Sequence, residues 1–326
     1  MPEVAAGQPS PVAVLEQYRR AGRAWAVTPP GRPGEVAGFV LVDVVDGAAH
    51  VEQVSVDPAV ARRGWGRRLL DHVAAVAAAE GRRAVTLSTF RDVPWNAPYY
   101  ERCGFRVLGE TELGPGLRAR RAAEAAAGLD PALRVCMRRD LAPVHLLTVG
   151  HGTLSADGLA GLVAGAGVDL VVDVRSYPGS RRHPRFGREA MAVWLPEAGV
   201  AYGWERRLGG RRRPQPGGPN VALRHPAFRA YADHMATPEF AAALTEVLTD
   251  AAGRTVAVMC SETLWWRCHR RLLADAAVLG RGARVEHLGH DGRVAPHAVT
   301  AGARRDGDGD GDGVVYDVGS DRPLPL

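Results

Sequence analysis

Apolar and polar residues alternate over much of the first 140 positions, and this pattern predicts a mixed sheet with covering helices. Asp46-Gly47 is typical of a hairpin turn that leads into a strand over 48–56. Helical spacing over 64–80 ends at Gly81, a suitable C-cap residue. The other predicted elements are helices over 12–23 and 95–102 and strands at AWAVTP, AGFVLVDVVDG, 84–89, 105–109 and 134–141.

The second half of the chain shows a different pattern, in which short continuous apolar runs alternate with helical segments. Such runs are typical of a parallel sheet that is covered on both faces. The predicted strands are HLLTVGHGT, VDLVVDVRS, TVAVMCSE and RVEHL, and the predicted helices are 156–166, 238–251 and 268–279. The sequence thus predicts an α/β protein of two domains: a mixed twisted sheet followed by a Rossmann-like parallel sheet.

The length of 326 residues fits two domains at about 150 residues each. A Pro-containing break at Ala142 to Val144 provides the linker. The predicted division is a disordered N-terminus over 1–11, a first domain over 12–141, the linker over 142–144, a second domain over 145–318 with a Gly/Asp insertion at 306–313, and a tail over 319–326.

The charged residues narrow the possible chemistry. The formal net charge is +5, and every basic side chain other than histidine is arginine, because the chain contains no lysine. Walker-type phosphate loops and Schiff-base catalysis are therefore excluded. The charge favours anionic ligands, but is too small to argue for nucleic acid by itself. The four cysteines lack a disulfide framework, and neither a signal pattern nor a membrane-length apolar run is present, so a cytoplasmic protein is expected.

The most informative segment joins the strand ending at Val56 to the helix starting near Gly64. Asp57-Pro58 stops the strand, and an Arg/Gly loop follows. Glycines at a helix start let backbone amides approach a phosphate, and the helix dipole and the arginines add positive charge. The loop therefore predicts a pyrophosphate cradle formed by Arg62, Arg63, Gly64, Trp65, Gly66 and Arg67.

This segment resembles the phosphate loop of the GCN5-related N-acetyltransferase (GNAT) family, Gln/Arg-x-x-Gly-x-Gly/Ala, although Ala61 takes the first motif position. A second segment, TFRDVPWNAPYYERCGF, resembles the family's later motif, and RVCMRRDL resembles its last strand. The resemblance covers roughly 12–141. It implies acetyl-CoA as acyl donor and an amine of unknown identity as acceptor.

The resemblance also implies roles for individual residues. Backbone groups of Val54 and Val56, with Ser55 between them, would pair with the pantetheine arm, and Asn96 would bond the arm from the other side. Tyr100 is the candidate acid for the leaving thiolate, and Glu52 is the candidate base. The alternatives are packing for Tyr100 and a solvated surface carboxylate for Glu52. The segment before AWAVTP is short for the family's first strand and helix, so these are expected to be missing.

The second half resembles the DUF488 family over roughly 145–318, through TVGHGT, DVRSYPGSRRHPRF, RRLGG and VMCSETLWWRCHRRLLA. That family supplies no settled reaction. In parallel sheets, ligands bind at the carboxyl ends of the strands. The sequence therefore predicts one crevice that contains His151, Asp173, Arg175, Arg181, Cys260, Glu262, Cys268, His269 and Arg270.

Four interpretations of this crevice remain open. They are a thiolate nucleophile, a Cys/Cys/His metal site, carboxylate-driven cleavage of a nucleoside-like bond, and a structural network without chemistry. The Cys-x7-Cys-His spacing is not a standard zinc spacing and leaves a fourth ligand unassigned, so no metal is predicted. The loop over 206–218 is expected to be solvated, and the Asp/Gly run a low-complexity insertion rather than a calcium loop.

The sequence therefore predicts an N-acetyltransferase that uses acetyl-CoA, fused to a second α/β domain of unknown activity. The alternative is a non-catalytic acetyl-CoA sensor whose second domain binds nucleotide or nucleic acid.

Overall fold

The computed structural model describes residues 11–32, 34–179, 183–213, 217–306 and 313–317. Contacts between backbone positions divide the chain into two compact units. Unit 1 contains Met1–Ala77 and Arg82–Ala142, and unit 2 contains Ala78–Gly81 and Pro143–Leu326. The N-terminal segment that was expected to be disordered (except for Pro11), Arg181, most of the Asp/Gly insertion and the C-terminal tail lie outside the described residues.

Unit 1 is built on a six-stranded mixed sheet in the order β1-β2-β3-β4-β6-β5. Only the β3–β4 pair is parallel, and the other neighbours are antiparallel. The elements are α1 (Val12–Arg20), β1 (Ala24–Val27), β2 (Gly38–Val45), β3 (Ala48–Val56), α2 (Trp65–Ala79), β4 (Ala84–Phe90), α3 (Ala97–Arg102), β5 (Arg106–Val107), α4 (Pro115–Ala126) and β6 (Arg134–Asp140).

The central strands β3 and β4 pair for only three residues and then separate. The pairing ends at Val51 opposite Leu87, although β3 continues to Val56 and β4 to Phe90. The ladder with β2 shifts at the same place, where Leu41 pairs with Gln53 and Val42 with Val51. Glu52 is therefore the extra residue of a β-bulge, and bulges bend and twist a strand. An opening follows between the carboxyl ends of β3 and β4.

Apolar residues of α2 hold this sheet from one face. Leu69, Leu70 and Val73 are buried against Val85, Leu87 and other core residues. The predicted hairpin at Asp46-Gly47 is confirmed, with positive φ at both residues (50° and 75°).

The helix α4 was not predicted from the sequence. Pro115 at its start and an Ala/Arg/Glu-rich body favour a helix, but Leu117 is its only buried residue, so hydrophobic periodicity is weak. The Asp46 carboxylate accepts hydrogen bonds from the first-turn amides of Gly116 and Leu117, at 2.8 and 3.0 Å. The hairpin turn therefore fixes the start of α4.

Unit 2 contains a six-stranded sheet in the order β12-β11-β7-β10-β8-β9. Five neighbouring strands are parallel, and β12 is an antiparallel edge. The elements are β7 (His145–Gly150), α5 (Ala156–Gly165), β8 (Leu170–Asp173), α6 (Arg188–Glu197), β9 (Ala201–Trp204), α7 (Pro226–Met235), α8 (Pro238–Ala251), β10 (Val256–Cys260), α9 (Arg270–Asp275, continued by a π-turn over Ala276–Gly280), β11 (Arg284–Leu288), β12 (Val294–Pro296), and the small pair β13 (Arg304–Arg305) and β14 (Val314–Val315).

The predicted parallel sheet and its four strands are confirmed in unit 2, whereas α6, β9 and α7 were missed. The Rossmann-like relationship is not confirmed, because the parallel strand order β11-β7-β10-β8-β9 matches neither of the two common doubly wound orders. The described part of the chain contains no helix that is both long enough and apolar enough to cross a bilayer.

Candidate functional site

The loop between β3 and α2 has the backbone form expected of an anion cradle. Arg62 and Gly64 have positive φ, 62° and 80°. In the following helix, the Arg68 amide donates to the Gly64 carbonyl at 3.0 Å. The amides of Trp65, Gly66 and Arg67 precede this first helical donor, so they have no acceptor within the helix and lie at the positive end of its 15 residues.

The side chains of this loop divide between solvent and core. Arg62, Arg63 and Arg67 are exposed, and Arg67 also forms an ion pair with Asp71 at 3.7 Å. The Trp65 indole is buried instead, lining a 680 Å³ pocket within unit 1. The indole Nε1 has no hydrogen-bond partner among the described residues. The ring of Trp65 therefore belongs to this pocket, and only its backbone belongs to the loop.

The free edge of β3 leads directly into this loop. The Asp57 amide donates to the Ala37 carbonyl at 2.9 Å. This bond shows which residues of β3 direct their backbone groups towards β2 in the antiparallel ladder. Because hydrogen-bonded pairs alternate in such a ladder, the amides and carbonyls of Val54 and Val56 point away from β2, towards the opening. Ser55 pairs with Phe39 of β2. The geometry fits an extended arm lying along β3.

Two adjacent tyrosines lie on α3, and only Tyr100 was predicted to take part in the site. Its ring packs edge-on against Phe105, and burial, with Cys103 nearby, raises its pKa to about 12. The neighbouring Tyr99 hydroxyl lies beside the cradle, 2.8 Å from the position of a β-carbon on Gly66. Asn96 precedes the helix, and its side chain makes no capping bond.

Glu52 projects from the bulge and forms an ion pair with Arg120 of α4, which also pairs with Asp43. Burial raises the pKa of Glu52, while the Arg120 guanidinium opposes that rise. Tyr18 donates a hydrogen bond to Asp43 at 3.1 Å. The candidate base is therefore a paired carboxylate rather than an isolated surface group. Arg120 was missed because α4 was missed.

The strand ends of unit 2 meet as predicted. The adjacent strands β7, β10 and β8 end next to His151, Cys260 and Asp173, respectively. Asp173 is fully buried and holds the Arg175 guanidinium in a two-pronged pair, at 2.8 and 2.6 Å. Tyr202 of the unpredicted strand β9 also donates to Asp173, at 2.9 Å.

His151 is a neutral member of this arrangement. Burial and the positive charge of Arg175 lower its pKa to about 4. Its ring stacks on Phe186, with centroids 4.2 Å apart, and its Nδ1 donates to the Gly152 carbonyl at 3.1 Å. His151 is therefore held in one tautomer beside Arg175.

Cys260, Cys268 and His269 converge at the centre of the crevice. Nδ1 of His269 lies 3.8 Å from the Cys260 sulfur and 3.5 Å from the Cys268 sulfur. Burial raises the pKa of the Cys268 thiol, but hydrogen bonds from Cys260 and Arg270 outweigh it and lower this pKa to about 6. Donation to Cys268 and burial raise the pKa of Cys260 to about 12.

The remaining predicted residues of the crevice are placed differently. Glu262 is exposed at the pocket wall. Arg270 is almost completely buried, and its guanidinium donates to the Glu262 carbonyl and to Thr148. Arg270 thus supports the loop after β10, and Arg181 lies outside the described residues. Arg211, which was not predicted to bind, lines the same pocket.

Family comparisons find two domains in this chain. Residues 5–105 match the model described as "Acetyltransferase (GNAT) family". Residues 155–277 match the model described as "Domain of unknown function DUF488". Both families inferred from the sequence are therefore found in the same chain.

Solved structures resemble part of this chain. Rv2747 from Mycobacterium tuberculosis, solved in complex with CoA and NLQ, is 20% identical over 41% of this chain and 83% of that chain, with a TM-score of 0.33. N-acetylglutamate synthase from Neisseria gonorrhoeae, complexed with coenzyme A and N-acetyl-glutamate, is 18% identical over 41% and 28% of the two chains, with a TM-score of 0.34. A GNAT-family acetyltransferase from Staphylococcus aureus Mu50 is 16% identical over 40% and 74%, with a TM-score of 0.31.

Proposed function

We propose that the unit carrying the GNAT-family domain transfers an acetyl group from acetyl-CoA to an amine. The observation that carries this proposal is the separation of β3 from β4 at the Glu52 bulge, directly ahead of the glycine loop. An opening beside a free strand edge suits an extended pantetheine arm, and a helix N-terminus at its end suits a pyrophosphate.

The arm would lie along Val54 to Val56 as an additional strand, with its amides bonded to the outward-facing backbone groups. The pyrophosphate would accept hydrogen bonds from the amides of Trp65, Gly66 and Arg67. Arg62 and Arg63 add charge at the rim. Asn96, at the start of α3, would supply a polar contact to the arm from the other side; its side chain makes no capping bond.

Acetyl transfer requires a deprotonated amine, stabilisation of the tetrahedral oxyanion and a proton for the leaving thiolate. Glu52 is the proposed base, directly or through water, and its raised pKa favours proton uptake. Tyr100 is the proposed acid. A phenol with a pKa of about 12 remains protonated at neutral pH and is ready to donate.

The test is release of free coenzyme A by the full chain with acetyl-CoA and a panel of amines. Gly66→Glu places a bulky carboxylate in the cradle and should abolish acetyl-CoA binding. Gly161→Glu is the matched control, because Gly161 is exposed on α5 with open space around its β-carbon position. Unchanged binding by Gly66→Glu would rule out the cradle.

Turnover separates an enzyme from a sensor. Binding of acetyl-CoA without release of coenzyme A, across the whole amine panel, would favour a regulatory unit. Release that depends on an amine and slows in Tyr100→Phe supports transfer.

A further inference from the structure

Cys260, Cys268 and His269 in unit 2 have the geometry of a metal centre. Their three ligand atoms lie within 4.8 Å of one another, and they form the one such His/Cys/Asp/Glu group found among the described residues. We propose that these residues bind a divalent cation of the zinc class, with a fourth coordination position open to the adjacent pocket. This site is independent of the activity proposed for unit 1.

The distances match the bond lengths of tetrahedral zinc. At the tetrahedral angle, a Zn–S bond of about 2.3 Å and a Zn–N bond of about 2.0 Å place sulfur and nitrogen about 3.5 Å apart. The two observed separations are 3.5 Å, which equals that value, and 3.8 Å, which is slightly longer. One cation therefore fits between the three ligand atoms with little movement.

The imidazole is held in the tautomer that a metal requires. Nε2 of His269 lies 3.2 Å from the Val174 carbonyl and donates its hydrogen to that oxygen. Nδ1 therefore carries the lone pair and faces both sulfurs. A backbone carbonyl on the outer nitrogen is the usual support of a metal-binding histidine.

The absence of a side chain at Gly210 leaves room for the His269 ring. A β-carbon on Gly210 would lie 2.5 Å from the Nδ1 of His269, so any larger residue would displace the ring. The sulfurs come from two different elements, the end of β10 and the start of α9, joined by a 3₁₀ turn over Trp265–Arg267. Because the two cysteines lie on different elements, the Cys-x7-Cys-His spacing differs from that of zinc motifs whose cysteines lie in one short loop.

The fourth position faces a pocket of about 300 Å³. The walls of this pocket include the three ligand residues, Arg175, Arg211 and Glu262. Zinc sites with three protein ligands keep an exchangeable water, whereas structural sites are closed by a fourth side chain. The neighbouring guanidiniums favour an anion as the group that displaces this water.

The experiment uses the full-length untagged chain, purified without chelator and then stripped of metal. We expect about one equivalent of zinc in the purified protein. Titration of the stripped protein with Co²⁺ should give a thiolate-to-cobalt charge-transfer band that saturates at one equivalent. Metal binding should release thiol protons to solvent. Thiocyanate should then change the cobalt spectrum, since it can enter an open position.

Cys260→Ala and Cys268→Ala should each weaken Co²⁺ binding by about 100-fold or more. Loss of a residue that only supports a ligand weakens metal binding by up to about 100-fold, and loss of a ligand itself should cost at least as much. Cys136→Ala, which changes a buried cysteine in unit 1, is the matched control. The spectrum of the unaltered protein decides the matter even if a variant fails to fold.

Absence of a charge-transfer band, or equal loss of binding in Cys136→Ala, would overturn the metal site. The cluster would then be a thiol–imidazole group, which rapid alkylation would identify. A cobalt spectrum that thiocyanate leaves unchanged would overturn the open position.

Discussion

The Tyr99 hydroxyl oxygen lies 2.8 Å from the point that a β-carbon on Gly66 would occupy. This contact explains why the second loop glycine has no side chain, although its φ is not positive. The ring carbon that carries the hydroxyl is 3.7 Å from the same point, which is ordinary contact. The clash is therefore with one atom of a side chain rather than with the backbone.

Gly66→Ala should destabilise unit 1 by about 1–3 kcal/mol, the usual cost of overpacking. Removing the hydroxyl with Tyr99→Phe should restore most of that loss in the double variant, while Tyr99→Phe alone should have a smaller effect. Denaturant unfolding of the four proteins measures the coupling. Additive losses in the double variant would contradict the contact.

Tyr100→Phe should lower kcat by about 100-fold with little change in acetyl-CoA affinity, because an acid acts on the leaving thiolate and not on the bound substrate. Tyr99→Phe should affect Kd more than kcat, since its hydroxyl lies at the cradle. Steady-state kinetics with a competent amine and calorimetry distinguish the two. Equal losses of kcat in both variants would contradict the assignment of Tyr100 as the acid and Tyr99 as a residue of the cradle.

Arg120→Gln should move the acidic limb of the kcat/KM profile to higher pH. Burial already raises the pKa of Glu52, and Arg120 opposes that rise, so removing the guanidinium lets the pKa rise further. Protonated Glu52 is not a base, and activity is therefore lost at a higher pH than in the unaltered protein. Arg32→Gln, which removes an exposed ion pair with Glu35, is the control. An unshifted limb would argue against Glu52 as the base.

The sequence predicted the parts of unit 1 that contain strong local signals. Asp46-Gly47, the strand ending at Asp57-Pro58 and the glycine-initiated helix each follow from backbone restrictions of single residues. The bulge at Glu52 carries no such signal, because it depends on how β3 pairs with two neighbours. Helix α4, with Leu117 as its only buried residue, has too little apolar periodicity to be recognised.

In unit 2, the sequence predicted which strand ends meet, but not how their side chains pair. Apolar runs identified β7, β8 and β10, and parallel pairing then brought His151, Asp173 and Cys260 to one edge. The tautomer of His269 depends on the Val174 carbonyl, 95 positions away in the chain. Strand β9 has only four half-buried residues, and Gly203 replaces the aliphatic side chains that mark the other strands.

Unit 1 should lose stability as the pH falls from about 6.5 towards 4, because of His50. This ring is 2% exposed, its Nδ1 lies 2.9 Å from the Thr86 hydroxyl, and burial lowers its pKa to about 4. Since the folded-state pKa lies below the unfolded value, the unfolded chain takes up the proton first. The loss is complete below the folded-state pKa and amounts to about 3 kcal/mol.

Nuclear magnetic resonance titration of the His50 ring should give a midpoint near 4, provided that the protein remains folded. His50→Gln should reduce the slope of stability against pH in unit 1. An ordinary histidine midpoint near 6.5 would show that the ring is hydrated.

Asp173→Asn should destabilise unit 2 by about 3–5 kcal/mol, because it leaves the buried Arg175 guanidinium without its counter-charge. Glu246→Gln removes one partner of Arg207 in an exposed pair and should cost less than about 1 kcal/mol. Native-state hydrogen exchange of amides in β8 and β10 measures unit 2 separately from unit 1. Replacing both partners, as Asp173→Leu with Arg175→Met, should recover much of the loss, because neither charge then remains buried. Equal losses for Asp173→Asn and Glu246→Gln would mean that water reaches Arg175 and that this wall of the pocket is open.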